Sequence, residues 1–141
     1  MADHKDADIV LKLYDLRREA VMRDSRDKMT MQFNPTSFEE FMAVAMDFEN
    51  PMNVAFRQVS SYWEMAFGMA EAGIVDPEYL VENCGEGMVL YVKCMPFIEQ
   101  FREQFSPTSF QHAQWAAENT EIGKSYVEMM KKWMEEMAQQ A

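Results

Sequence analysis

A run of apolar residues spaced alternately four and three positions apart constrains this chain more than any other feature. The run consists of Met52, Phe56, Val59, Trp63, Ala66, Ala70 and Gly73. This spacing places its members on one face of an α-helix. Asn50 and Pro51 fit the N-cap and the first helical position, and Gly73 is a typical stop. The pattern predicts a helix over 51–73 at the centre of the fold, with Trp63 in the core.

Four further segments carry the capping residues that are typical of a helix start. They are a capping box of Thr36 with Glu39 or of Ser37 with Glu40, the pair Asp76 and Pro77, the segment 106–109, and Thr120. An amphipathic pattern over 6–30 adds a first helix whose apolar face is Ile9, Leu13, Leu16 and Ala20. We expect a short helix from Ser37 to about Phe48, and one long helix from Pro77 to Phe105. Gly85, Gly87 and Pro96 should break or kink the long one.

These segments give six helices, and no alternating run rich in Val, Ile and Thr is long enough for a strand. The chain has 141 residues, an ordinary length for one domain. We therefore predict an all-α bundle of five or six helices built from helix hairpins, as a single domain over 1–141.

The net charge disfavours several classes of partner. Thirteen Lys and Arg stand against 24 Asp and Glu, which gives 13 − 24 = −11. Such a chain repels nucleic acid and anionic membranes. The acidic N-terminus lacks the features of a secretory signal, and the longest apolar stretches are too short for a membrane helix. Cys84 and Cys94 are ten residues apart, too far for a disulfide if they share one helix. We expect a cytoplasmic protein with reduced thiols.

No motif for catalysis or for cofactor binding is present. The chain lacks Glu-x-x-His, Cys-x-x-Cys, a P-loop and His-Glu-x-x-His, and Gly85-Glu86-Gly87 fits a helix break better than a phosphate loop. We therefore assign no catalytic residue, no cofactor and no metal. His112 is interpreted as an ordinary surface or half-buried histidine.

Methionine is unusually frequent, with fifteen residues on helical stripes, which favours a flexible core or an adaptable interface over a Cu(I) site. The apolar faces of 52–73 and 122–137 are wider than a monomeric bundle needs. We expect a homodimer through these two helices, with a protein partner as a further possibility.

The residues chosen as a candidate pocket or interface lie on or beside these faces. They are Arg57, Tyr62, Trp63, Glu64, Met65, Met69, Arg102 and Trp133. The favoured function is a non-enzymatic module for protein interaction or self-association. The alternative is a small-molecule sensor or enzyme with an aromatic and Met-lined pocket between helices, which could use Glu64.

Two short segments repeat each other. Residues 33–38 and 105–110 share five of six residues at an offset of 72. Either a duplication or the common preference for Pro-Thr-Ser at helix starts explains this, and the sequence leaves both open.

About a third of the chain resembles a bacterial family of short helical proteins known as a domain of unknown function. The resemblance rests on the order Arg57, Tyr62-Trp63-Glu64, Gly73-Ile74-Val75-Asp76, Glu78-Tyr79-Leu80, Pro96-Phe97-Ile98 and Arg102. It implies a helical fold and a pairing of Glu64 with Arg102, and it implies no substrate.

Overall fold

Eight α-helices make up most of the computed structural model, which describes residues 1–140. They are α1 (His4–Arg17), α2 (Ala20–Asp27), α3 (Phe38–Ala45), α4 (Pro51–Glu71), α5 (Pro77–Asn83), α6 (Gly85–Gln104), α7 (Gln111–Asn119) and α8 (Glu121–Gln140). A π-helical turn, Lys28–Gln32, follows α2 directly. Residues 1–140 contain no strand, so the predicted all-α class is confirmed.

Helix α4 lies at the centre, as its apolar stripe predicts. The side chain of Asn50 accepts the backbone amide of Met52 and so caps its N-terminus. Gly73 follows its C-terminus with a φ of +76°, a conformation in which a side chain would be strained. The stripe residues Phe56, Val59, Trp63, Ala66 and Ala70 are all buried. Helix α4 packs against α2, α3, α5 and α7.

The predicted first helix over 6–30 is divided into α1, α2 and the π-turn. The chain turns at Glu19, whose ψ of 142° is not helical and whose carboxylate caps α2 at the amide of Met22. The predicted apolar face is kept in α1, where Leu13 is buried and Ile9 packs against the core. It is wrong beyond that, since Leu16 is 46% exposed and Ala20 is exposed, while α1 also buries Val10.

The predicted long helix over 77–105 is divided once. Asp76 caps α5 at the amide of Tyr79, and the break falls at Cys84, beside the two glycines that were expected to weaken the helix. Pro96 lies inside α6 and does not end it, because Ile98 and Phe101 beyond it are buried in the core. With the breaks at Glu19 and Cys84, the bundle has eight α-helices instead of five or six.

Helix α8 lies on the surface against α5, α6 and α7. The Thr120 hydroxyl accepts the amide of Gly123 at 2.9 Å, so Thr120 caps α8 as predicted. Among residues 121–140, Gly123 is the one buried residue. A Cβ at this position would lie 2.4 Å from the carbonyl oxygen of Ala116. The absence of a side chain therefore lets α8 approach α7 closely.

The two repeated segments have different conformations. In the first, Ser37 caps α3, which begins at Phe38. In the second, residues 107–110 form a turn, Phe110 has a φ of 61°, and α7 begins one residue later. Both cysteines are buried and free.

Candidate functional site

The predicted site residues are distributed over four places instead of one. Arg57 and Glu64 line a cavity of about 390 Å³ between α4 and the turn before α7. The Arg57 Nε donates to the Asn53 Oδ1 at 2.8 Å, and its guanidinium lies 5.4 Å from the centre of the Phe48 ring. Arg57 and Glu64 lie seven residues apart on one face of α4 and thus share this cavity.

Glu64 holds the N-terminus of α7. Its Oε1 accepts the amide of Ala113 at 2.7 Å, and its Oε2 accepts the amide of His112 at 3.1 Å. Free amides at a helix N-terminus carry partial positive charge, which a carboxylate neutralises. Because both oxygens of Glu64 are engaged by the backbone, the arrangement favours a structural role over acid–base chemistry.

Arg102 does not pair with Glu64, contrary to what the family resemblance implies. Its Nε donates to the carbonyl oxygen of Ser109 and its Nη1 to the Oε1 of Gln114, both at 2.8 Å. Its Nη2 is buried and has no partner within residues 1–140. The two side chains therefore bind the same short segment, the start of α7, from two different helices.

Tyr62 and Trp63 lie on the side of α4 that faces α1. The Tyr62 hydroxyl donates to the carbonyl oxygen of Leu13, and burial raises the pKa of Tyr62 to about 12. Trp63 is 2% exposed, with the Arg17 guanidinium 5.6 Å from its ring. Arg17 also contacts the sulfur of Cys84 at 3.7 Å, and burial raises the pKa of that thiol. A cavity of about 10 Å³ beside Trp63 leaves no room for a substrate, so this cluster is part of the core.

Met65 and Met69 border a shallow depression that also contains His112. The His112 Nδ1 lies 2.5 Å from the Glu71 Oε2, and the ring packs on Gly68, where a Cβ would come within 3.2 Å of it. The half-buried placement of His112 fits its interpretation from the sequence.

Trp133 borders a groove between α8, α6 and the segment 30–36. Two adjoining cavities of about 560 and 600 Å³ form it, and they share Asn34, Lys93 and Trp133. Its walls are mainly apolar and are lined by Met31, Val89, Phe97, Met129, Met130, Met134 and Met137. A groove of this size and lining is typical of ligand sites.

Lys93 is the charged residue of this groove. Its side chain is 6% exposed, and its Nζ donates to the carbonyl oxygens of Met29 at 3.0 Å and Thr30 at 2.7 Å. These carbonyls belong to the π-turn that ends α2, where backbone acceptors lack helical partners. Burial lowers the pKa of Lys93. No carboxylate of residues 1–140 lies within 4 Å of its Nζ.

Helix α8 carries an exposed apolar stripe along the rim of this groove, which we define as Met129, Trp133 and Met137. These side chains are 56%, 51% and 49% exposed. They follow each other at intervals of four residues and therefore lie along one side of the helix.

Sequence reasoning missed the role of Lys93, although a signal was present. It is the one charged residue in the run from Met88 to Phe97, which is otherwise apolar apart from Tyr91, Cys94 and Pro96. A lysine with apolar neighbours on every side of a helix must be buried along with them.

Residues 1–140 contain no group of three His, Cys, Asp or Glu side chains that could hold a metal ion. None of the helices in this range combines the length and apolarity of a membrane span.

Comparison with known proteins relates the chain to one family. No curated protein and no solved structure matches it significantly. The family model described as a domain of unknown function, DUF4760, matches residues 2–120. The match covers α1 to α7 and ends at Thr120, the residue that caps α8. The chain therefore belongs to the DUF4760 family of domains of unknown function.

Proposed function

We propose that this protein is a self-association module in which a second copy packs on α8 in antiparallel orientation. The observation that carries the proposal is the stripe of Met129, Trp133 and Met137, each about half exposed. Contiguous apolar surface on a soluble protein is typical of an interface. The stripe lies beyond residues 2–120, which the family model matches.

The spacing of the stripe suits a two-fold contact. Met129 and Met137 lie four residues on either side of Trp133. A two-fold axis at Trp133 would bring each Met129 against the Met137 of the second copy, and the two tryptophans against each other. A contact between identical patches of this kind is the usual basis of a homodimer.

The charges beside the stripe suit the same arrangement. Lys132 and Glu136 lie on one flank of it, and neither forms an ion pair with another side chain among residues 1–140. In the antiparallel pair, Lys132 of one copy faces Glu136 of the other. Opposite charges at these positions favour the antiparallel orientation and fix the register.

Helix α4 offers a smaller exposed apolar face for a second copy than the sequence predicts. Of the residues that widen its apolar face, Phe67 is buried, while Val54 and Met65 are 56% and 48% exposed. Val54 and Met65 are eleven residues apart and form no continuous stripe. The proposed contact is therefore placed on α8 alone.

Static light scattering or sedimentation equilibrium on the full chain at tens of micromolar tests the proposal. We expect a particle of twice the 16.5 kDa chain mass. Lys132→Glu and Glu136→Lys should each weaken association by about tenfold, because each places like charges opposite one another. The double variant Lys132→Glu/Glu136→Lys should restore it.

Lys131→Glu is the matched control, since it changes the net charge equally and lies on the other side of α8. It should associate like the unmodified chain. A 16.5 kDa particle at every concentration contradicts self-association. A dimer that neither Lys132→Glu nor Glu136→Lys weakens contradicts the antiparallel α8 contact.

A further inference from the structure

The groove beneath α8 combines apolar walls with a single positive charge. Of the residues that line its two cavities, Lys93 is the one that titrates. The rest of the lining consists of Met, Val, Phe, Trp, Pro and Ala side chains with a few uncharged polar groups. Lys93 lines both cavities and so lies at their junction.

The ammonium group of Lys93 has an unused donor. A lysine ammonium carries three N–H groups, and the carbonyls of Met29 and Thr30 accept two of them. A buried charge without an opposite charge is costly, and none of the carboxylates in residues 1–140 lies within 4 Å of this one.

We propose that this groove binds a single-chain amphiphile with a carboxylate head. The carboxylate pairs with Lys93 at the junction of the cavities, and the hydrocarbon chain lies along Met129, Met130 and Met134. Charge complementarity selects the head group, because the only charge in the groove's lining is positive. Flexible methionine side chains suit a chain that needs no fixed shape.

This inference goes beyond self-association and is separable from it. Met129, Trp133 and Met137 of the stripe also line the groove, so a second copy packed on the stripe would compete with a ligand for these side chains. Ligand binding is therefore measured on the Lys132→Glu chain, in which self-association is weakened, as well as on the unmodified one. Lys132 lines neither cavity.

Isothermal titration calorimetry with dodecanoate, decanoate and dodecyltrimethylammonium, each below its critical micelle concentration, tests the proposal. Dodecanoate should bind at least about tenfold more tightly than the cationic amphiphile of the same chain length. It should also bind more tightly than decanoate by roughly fourfold for each methylene group. Lys93→Met should abolish the preference for the anionic head, and Lys131→Met, at an exposed lysine, should retain it.

Val89→Phe provides a second variant that does not depend on removing the buried lysine. It narrows one cavity and leaves Lys93 in place, so it should weaken dodecanoate binding several-fold. The proposal is overturned if dodecanoate does not bind, or if it binds no better than the cation. Full affinity in the Lys93→Met chain would also overturn it.

Discussion

The carboxylate of Glu64 accepts the backbone amide of Ala113 at 2.7 Å, across 49 residues of sequence. The contact joins the central helix α4 to the first turn of α7. Phe110, just before that turn, has a φ of 61°, which is unfavourable for a phenylalanine. Glu64 binds the amides after Phe110, and Arg102 binds Ser109 before it and Gln114 after it, so the two side chains together hold the start of α7 in its place.

Glu64→Ala should lower the free energy of unfolding by about 2 kcal/mol, because the amides of His112 and Ala113 lose a charged acceptor. Glu64→Gln keeps one acceptor oxygen and should lose about half as much. Urea denaturation followed by circular dichroism gives both values. Glu99→Gln removes the charge of an exposed glutamate on α6 and should be neutral. Unchanged stability in both Glu64 variants would show that the cap is not needed.

Trp63 and Trp133 should differ sharply in their contributions to stability. Trp63 is 2% exposed in the core, so Trp63→Ala should cost about 3–5 kcal/mol. Trp133 is 51% exposed, and Trp133→Ala should cost the isolated chain less than about 1 kcal/mol. The chain has a third tryptophan, Trp115, which is replaced by Phe in both chains of the fluorescence test. In this background, iodide should quench Trp133 in the Trp63→Phe chain far more than Trp63 in the Trp133→Phe chain. Free quenching of Trp63 would contradict its place in the core.

Gly87 should tolerate alanine less well than Gly85. A Cβ at Gly87 would lie 2.6 Å from the Phe67 ring and 3.0 Å from Trp63, and both rings are fixed in the core. Overpacking should cost about 1–3 kcal/mol, partly offset by the better helix propensity of alanine. A Cβ at Gly85 would meet the outer end of Tyr126, which can move aside. Thermal melts of Gly87→Ala and Gly85→Ala should rank them in this order, and the reverse order would contradict the packing described.

Tyr62 should make the free energy of unfolding depend on pH above pH 10. Its pKa is raised by burial from 10.0 to about 12, so the folded chain retains the phenolic proton after the unfolded chain has lost it. Its contribution is therefore complete below pH 10 and is lost as the pH rises through about 12. The stability advantage of the unmodified chain over Tyr62→Phe should shrink between these values in urea titrations. A constant difference would contradict the raised pKa.

The helix starts were well predicted because capping depends on a few adjacent residues. Asn50, Asp76 and Thr120 each cap the helix that follows, as their side-chain chemistry requires. The break at Glu19 was not predicted, because a glutamate is an ordinary helix former and its carboxylate becomes a cap only when the backbone turns. Of the break or kink expected at Pro96, the structure excludes the break, because tertiary packing outweighs one lost hydrogen bond.

The candidate site was harder to predict because it depends on contacts between distant residues. Lys93 meets the carbonyls of Met29 and Thr30, which are 64 and 63 residues away. Nothing local to either segment indicates that they meet. Trp133 was selected for its apolar stripe, and it lies half exposed at the rim of the groove.

Lys93 should make stability rise with pH in the range below pH 10. Burial lowers the pKa of Lys93 in the folded chain from its ordinary value of 10.5. As the pH rises through the lowered value, the folded chain loses this proton before the unfolded chain does, so the unfolded chain binds more protons here. Stability contributed by such a group is present above the unfolded-state pKa and is lost as the pH falls through the folded-state pKa. Its neighbour Cys94 stays a thiol in this range, because burial raises that pKa.

The free energy of unfolding of the unmodified chain, minus that of Lys93→Met, should therefore increase from pH 7 towards pH 10. Urea titrations at several pH values give this difference. Lys131→Met, at an exposed lysine, should show no such trend. A bound carboxylate at Lys93 would favour the charged ammonium, so saturating dodecanoate should reduce the slope. A difference between the unmodified and Lys93→Met chains that does not change with pH would mean that the amine remains as accessible to water in the fold as in the unfolded chain.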